Sequence, residues 1–201
     1  MKIKFLFLAM TLMIGNLLMA NPPKKAKPVS YKVDLKQTVA KWEGKKVTGK
    51  HHGTVALKSG SIEVLEGVAT NGFFVVDMTS ISCVDLAAGQ GKEKLEGHLK
   101  SEDFFGTEAY PTAEFKTTKI QKGNGANYTI SGDLTIKGQT HPVSFPANIV
   151  ITKKMVKATG KVTIDRTLYG IKYGSGSFFD NLGDKAISNE FTMDINFVAN
   201  K

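Results

Sequence analysis

The residues of this 201-residue chain that could do chemistry are four histidines, one cysteine, one arginine and scattered carboxylates. His51 and His52 are adjacent, so on a strand they face opposite ways. No two histidines have the i, i+4 spacing of a helical metal pair, and a single cysteine completes no zinc motif. Cys83 follows Ser-Ile-Ser in a strand-like context with no histidine beside it. It reads as a small buried hydrophobe rather than a nucleophile, and as the sole cysteine it leaves no internal disulfide. His98 falls on the polar side of a short helix and His141 precedes Pro142 at a strand start, so both read as surface residues. Glu102-Asp103 lies where that helix ends and reads as solvated. There is no GxSxG and no phosphate loop. The run GIKYGSGSF (Gly170–Phe178) lacks a strand-turn-helix context, and its glycines are expected to turn the backbone at a rim. The residues thus nominate no catalytic group, no metal ligand and no cofactor.

Charge narrows the partners. The formal net charge is +9. However, five of the 27 basic residues fall before Pro28, and all 18 acidic ones lie from Asp34 onward, so the remainder carries about +4. No dense basic stripe stands out there. Arg166 is the only arginine, whereas arginine dominates specific base contacts, so no nucleic acid is expected as a partner. Lys2 and Lys4 precede an apolar run from Phe5 to Leu18, and Ala20 offers a small residue at a cut. Residues 1–20 therefore read as a secretory signal peptide, too short for a membrane span of roughly 20 apolar residues. Residues 21–28 (NPPKKAKP) read as a flexible basic tail, a solvated tether whose alternative is transient contact with anionic membrane. The expected location is the periplasm or the medium.

The remaining residues, 29–201, must position whatever chemistry exists. Period-2 alternation dominates them: Tyr128–Ile136, Val143–Ile151, Val156–Ile164 and Phe191–Ala199 each show one apolar face. Further strands are predicted at Tyr31–Lys36, Val39–Glu43, Gly53–Lys58, Ser61–Glu66, Phe73–Thr79 and Ala113–Gln121. Turns are expected at Lys58-Ser59-Gly60, Val68–Gly72, Lys122–Gly125 and Lys137-Gly138-Gln139. Gly91–Ser101 is the one amphipathic helix, with Leu95 and Leu99 on a shared face. One short helix cannot cover about eight half-apolar strands. The sheet must close on itself or fold over, and short hairpins favour an all-β, antiparallel up-and-down barrel. At about eight strands such a barrel holds packed side chains or one slender ligand. The helix can then only plug one end, with Phe104 and Phe105 at the mouth or sealing a dry core.

Three segments carry a family resemblance. GHLKSEDFFGTEAYPTAEF (Gly97–Phe115), GDLTIKGQTHPVSF (Gly132–Phe145) and IDRTLYGIKYGSGSFFDNLGD (Ile164–Asp184) occur in order and resemble the YceI-like family. That resemblance implies an extended lipocalin-like barrel with a long apolar tunnel. It also implies an exported bacterial protein that binds a polyisoprenoid or another long-chain amphiphilic lipid, and not an enzyme. The relatives often carry an acid two residues after the arginine, where this chain has Leu168.

The inward set expected to line such a tunnel is Trp42, Phe74, Val76, Phe115, Leu134, Phe145, Ile149 and Phe197. Phe104, Phe105, Phe178 and Phe179 are candidate rim or lid residues. Arg166 is a candidate for a phosphate or carboxylate head group, with Tyr169 as its companion. Phe73 and Phe74 face opposite ways, so a one-residue slip in register would exchange them. Two other readings stay open: a non-catalytic stress or interaction module with a filled barrel, and an enzyme acting on a lipid. Whether the barrel forms a homodimer is also open.

Overall fold

The computed structural model describes residues 26–201. The predicted signal peptide and residues 21–25 of the predicted tail lie outside the described residues. Nine strands run in chain order: β1 Val29–Val33, β2 Val39–Lys46, β3 Gly49–Leu65, β4 Val68–Cys83, β5 Thr112–Lys122, β6 Asn127–Ile136, β7 Gln139–Ile151, β8 Met155–Asp165 and β9 Ile187–Asn200. The helix α1, Lys92–Lys100, lies between β4 and β5.

Every pairing is antiparallel. From β3 to β9 each strand pairs with the next, and β2 closes the ring between β9 and β3. β1 also lies between β3 and β9, through Tyr31↔Ile62 and Val33↔Ala199. β1 and β2 are therefore one stave of an eight-stave barrel, interrupted by the loop Asp34–Thr38. Two side chains hold that loop. The Asp34 carboxylate accepts from the Lys36 and Gln37 N–H groups. The Thr38 hydroxyl donates to the Val198 carbonyl at 3.2 Å and accepts from the Val198 N–H at 3.1 Å. These bonds replace the ladder that the loop interrupts.

One predicted turn moves and another is absent. The hairpin expected at Val68–Gly72 sits at Glu66-Gly67, where φ is 51° and 79°. Two consecutive left-handed residues make the turn whose twist matches antiparallel strands, as they do at Lys137-Gly138 (φ 49° and 73°). The turn expected at Lys58-Ser59-Gly60 does not exist. β3 runs straight through these residues for 17 residues, with a register irregularity between Leu57 and Ser59. Gly60 is there for a different reason: it pairs with Phe74, and a Cβ on it would lie 2.7 Å from the Phe74 ring. The glycine makes room for a ring, not for a bend.

Inside the barrel the side chains form two unlike halves. At one end Tyr31, Ile62, Tyr128, Ile130, Ile149 and Val156 are buried and fill the bore, and the Tyr31 hydroxyl donates to the Thr152 carbonyl. At the other end α1 lies against β4. Glu96 fixes it there by accepting the Cys83 N–H at 2.7 Å and the Ser82 hydroxyl at 3.0 Å. The Cys83 N–H holds the Glu96 carboxyl below the usual carboxylate range, so the helix is tied to the sheet by a charge-assisted bond.

Candidate functional site

Between α1 and the filled half lies an apolar cavity of about 340 Å³. That is at the small end of ligand pockets, about 300–1,000 Å³. Its wall comes from seven strands: Trp42 (β2), Val55 (β3), Val76 (β4), Ala113 (β5), Leu134 (β6), Ile164 (β8), and Phe191 and Met193 (β9). Its cover comes from Leu95 and Leu99 on α1 and from Phe104 and Phe105 just after it. The i, i+4 spacing aims both leucines down into the bore. The loop after α1 is held by Lys137, whose ammonium donates to the Glu102 and Phe104 carbonyls. Phe105 meets Phe191 edge to face, with centroids 6.1 Å apart. Phe104 is buried against His98 and Tyr173, so His98 is half inside this cluster rather than a free surface residue.

The cavity is blind. One pleat beyond the Val76↔Ala113 pair comes the pair Phe74↔Phe115. Phe74 and Phe115 stack at 6.4 Å, Phe197 meets Phe74 edge to face at 5.2 Å, and Phe145 tilts against Phe115 at 5.8 Å. These four rings plug the bore. Gly132 accommodates Phe115 as Gly60 accommodates Phe74. Of the residues expected along a tunnel, Trp42, Val76 and Leu134 line the cavity. Phe74, Phe115, Phe145 and Phe197 form its floor and the plug below, and Ile149 lies in the filled half. The reason is depth: alternation shows which face is inward, but not how far along the axis packing becomes solid. Phe73 points outward, as the alternation requires.

The candidate rim residues separate in the same way. Phe104, Phe105 and Arg166 line the cavity. Phe178 and Phe179, at 48% and 50% exposed, stand on an outer loop and line none of it; Lys172 lies over the Phe178 ring. Tyr169 is 1% exposed and packs its ring on His141, which removes it from the rim. Leu168 is 52% exposed, so that position points to solvent and away from the cavity.

Arg166 is the one buried cation of the wall. At 3% exposure its guanidinium donates to the carbonyls of Ile171 (2.8 Å), Ser188 (2.9 Å) and Ile187 (3.2 Å). Burial pulls its pKa below the usual value, partly offset by Asp165. No carboxylate pairs with it among the described residues. Three of its five N–H donors are used, which leaves two. Arg166 therefore fastens the start of β9 to the loop after β8 and keeps donor capacity beside the cavity. At the mouth stand Lys45, Lys46 and Lys50. Glu43 pairs with Lys50 at 2.8 Å and Lys45 at 3.6 Å, and Glu190 also lines the cavity, so three lysines against two carboxylates leave the opening net positive.

The Tyr169 hydroxyl is buried with no partner among the described residues, and burial pushes the phenol up to about 12. Tyr169→Phe is therefore expected to stabilise the protein by about 1 kcal/mol at neutral pH, since an unmatched buried hydroxyl costs about 1–3 kcal/mol. The unfolded phenol ionises near 10, so the native state retains protons that the unfolded state loses. Stability drains away as pH rises from 10 to 12. Melting curves over that range should fall more steeply for the wild type than for Tyr169→Phe. A variant that melts lower at neutral pH contradicts this.

A third group of residues had no signal in their spacing. His51, Cys83 and Asp85 place an imidazole nitrogen, a thiol and a carboxylate within 4.8 Å of one another. Burial pushes the Cys83 thiol up, and its hydrogen bond to Asp85 adds to that. Burial also opposes ionisation of Asp85, but bonds from the His52 N–H, the Cys83 thiol and His51 outweigh it and hold the carboxyl far below its ordinary value.

The comparisons with known proteins agree with the barrel. The UPF0312 protein of Photorhabdus laumondii is 45% identical over 53 residues, 26% of this chain and 27% of that relative. Protein YceI of Escherichia coli O157:H7 is 43% identical over a stretch of the same length. The match thus spans just over a quarter of each curated relative's length. Among solved structures, Burkholderia cenocepacia BcnA superimposes with a TM-score of 0.67 at 22% identity, covering 83% of this chain and 99% of BcnA. A polyisoprenoid-binding domain from Saccharophagus degradans gives 0.59 at 14% identity over 85% of this chain and 97% of that domain. These likenesses show the fold. The YceI-like domain model matches residues 31–199, nearly the whole barrel, and the chain belongs to that family.

Proposed function

We infer that this protein is a non-catalytic carrier or binding protein for a long-chain amphiphile. The apolar tail is held in the blind cavity and an anionic head group at the basic mouth. The observation that carries the reading is the cavity itself: about 340 Å³ bounded almost wholly by apolar side chains, closed below by four phenylalanines and above by Leu95, Leu99, Phe104 and Phe105. A barrel serving only as a packed module has no use for such a hollow. Each buried methylene contributes roughly 0.8 kcal/mol. About ten of them supply a gross 8 kcal/mol, the scale of a micromolar complex, before the costs of association. Arg166 and the mouth lysines suit a phosphate or carboxylate. The Saccharophagus degradans domain is named for binding polyisoprenoid, and a slender branched hydrocarbon of that class suits this hollow. The signal-like N-terminus supports an exported protein acting in the periplasm or the medium.

Native mass spectrometry of the gently purified protein tests this. The expected result is a complex one amphiphile heavier than the chain. Ala113→Phe, which grows a ring into the cavity from the wall, is expected to leave melting nearly unchanged and abolish the added mass. A wild-type protein carrying nothing, and taking up no fatty acid or prenyl phosphate when these are supplied, overturns the reading.

A further inference from the structure

The geometry points to a zinc-class metal site at the α1 end of the β3–β4 ladder, made by His51 Nδ1, Cys83 Sγ and the Asp85 carboxylate. The strand register builds it. Gly53 pairs with Cys83, and the Val84 N–H continues the ladder to the His52 carbonyl. One step further along, His51 stands opposite Asp85. Residues paired across strands share a face, as do residues two apart on a strand. All three side chains therefore converge on the inner face, although 34 residues separate His51 from Asp85.

The donors already touch. His51 Nδ1 lies 2.9 Å from Asp85 Oδ2, and Cys83 Sγ lies 3.1 Å from Asp85 Oδ1. All three donor atoms fall within 4.8 Å of one another. Ligands at about 2.0–2.3 Å from a tetrahedral zinc stand about 3.3–3.8 Å apart, between the contacts to Asp85 and that outer limit, so small side-chain rotations suffice. One thiolate, one imidazole and one carboxylate form a mixed set that suits zinc, and three protein ligands leave a fourth position open. An outer set of bonds holds the first: the His52 N–H donates to Asp85 Oδ1, and Glu96 accepts the Cys83 N–H. Access exists, because the His51 and Asp85 side chains are 32% and 19% exposed. His51 also belongs to the wall of the lipid cavity, so the metal would sit beside its mouth.

The test uses the purified protein, stripped with a chelator and dialysed. Zinc is expected to bind with one equivalent and raise the melting temperature. Cobalt(II) in its place is expected to show a thiolate-to-cobalt charge-transfer band in the near ultraviolet. Cys83→Ser should remove that band while keeping the fold. His51→Ala and Asp85→Ala should each weaken zinc binding by at least the about 10–100-fold typical of losing an outer-shell partner. His52→Ala, which alters a side chain facing the other way, should bind as the wild type does. Absence of the cobalt band, or a band unchanged in His51→Ala, overturns the site and leaves the three residues as a hydrogen-bonded cluster. These measurements do not depend on whether a lipid is found.

Discussion

Gly53→Ala is expected to lower stability by about 3 kcal/mol or more, the upper part of the range for overpacked interiors. Gly53 pairs with Trp42 on β2 and with Cys83 on β4. A methyl group there would lie 1.8 Å from the Ser82 carbonyl oxygen and 2.7 Å from two carbons of the Trp42 indole. The carbonyl belongs to the neighbouring strand's backbone and cannot rotate aside. The indole could move only into the cavity it lines. For a domain of this size, 1 kcal/mol shifts melting by about 2–4 °C, so a fall of about 6–12 °C is expected. Gly44→Ala is the control. It lies two residues past Trp42 on the same strand and meets nothing within 4 Å, so its melting should barely change and even rise slightly, since alanine costs less backbone entropy. A Gly53→Ala protein melting within about 2 °C of wild type would mean the indole does not lie on that glycine.

The second large effect concerns the floor of the cavity. Phe74→Ala is expected to cost about 3 kcal/mol, the low end of the range for emptying a buried phenylalanine site, because the Phe74 ring is partly buried. It removes the ring that both Phe115 and Phe197 pack against. The space it leaves adjoins the cavity, because Val76, two residues along the same strand face, is part of the wall. The floor should therefore drop by one layer. Offered a mixture of prenyl or acyl chains, the variant should retain longer members than the wild type does, as read by the masses of the bound species. Thermal melting in the presence of such a chain should recover part of the lost stability, because the ligand fills what the ring vacated. An unchanged chain-length profile would place the floor elsewhere.

Much of this architecture was legible in the chain. The alternating runs Tyr128–Ile136 and Val156–Ile164 correspond to β6 and most of β8, and Gly91–Ser101 brackets α1. Phe74 faces inward and Phe73 outward, as period 2 demands. What could not be read is instructive. Lys58-Ser59-Gly60 has the composition of a turn, yet the glycine answers a ring 14 residues away on the paired strand, a demand visible only once register is known. Phe115 and Ala113 look alike in pattern, two apart on one face of β5. Yet one lies in the plug and the other on the cavity wall, because axial depth leaves no trace in alternation. Tyr169 and Phe178 resemble each other as aromatic residues near a glycine-rich loop, but one is buried in the end of the barrel and the other lies on its surface. His51 and Asp85 meet only through the β3–β4 ladder, so no spacing rule could pair them.

The interrupted stave has a kinetic consequence. β9 is the strand that must join β8 on one side and both β1 and β2 on the other. Lys32 and Asn200, near the two extremities of the domain, end up side by side. Until residues 187–200 emerge and dock, the cylinder is a gaping sheet with two long unpaired edges, the form most open to sticking to another copy of itself. Closing a loop that spans nearly the whole polypeptide puts this domain among slow folders. The last zip, not the many local hairpins, then governs how long the nascent protein needs shielding.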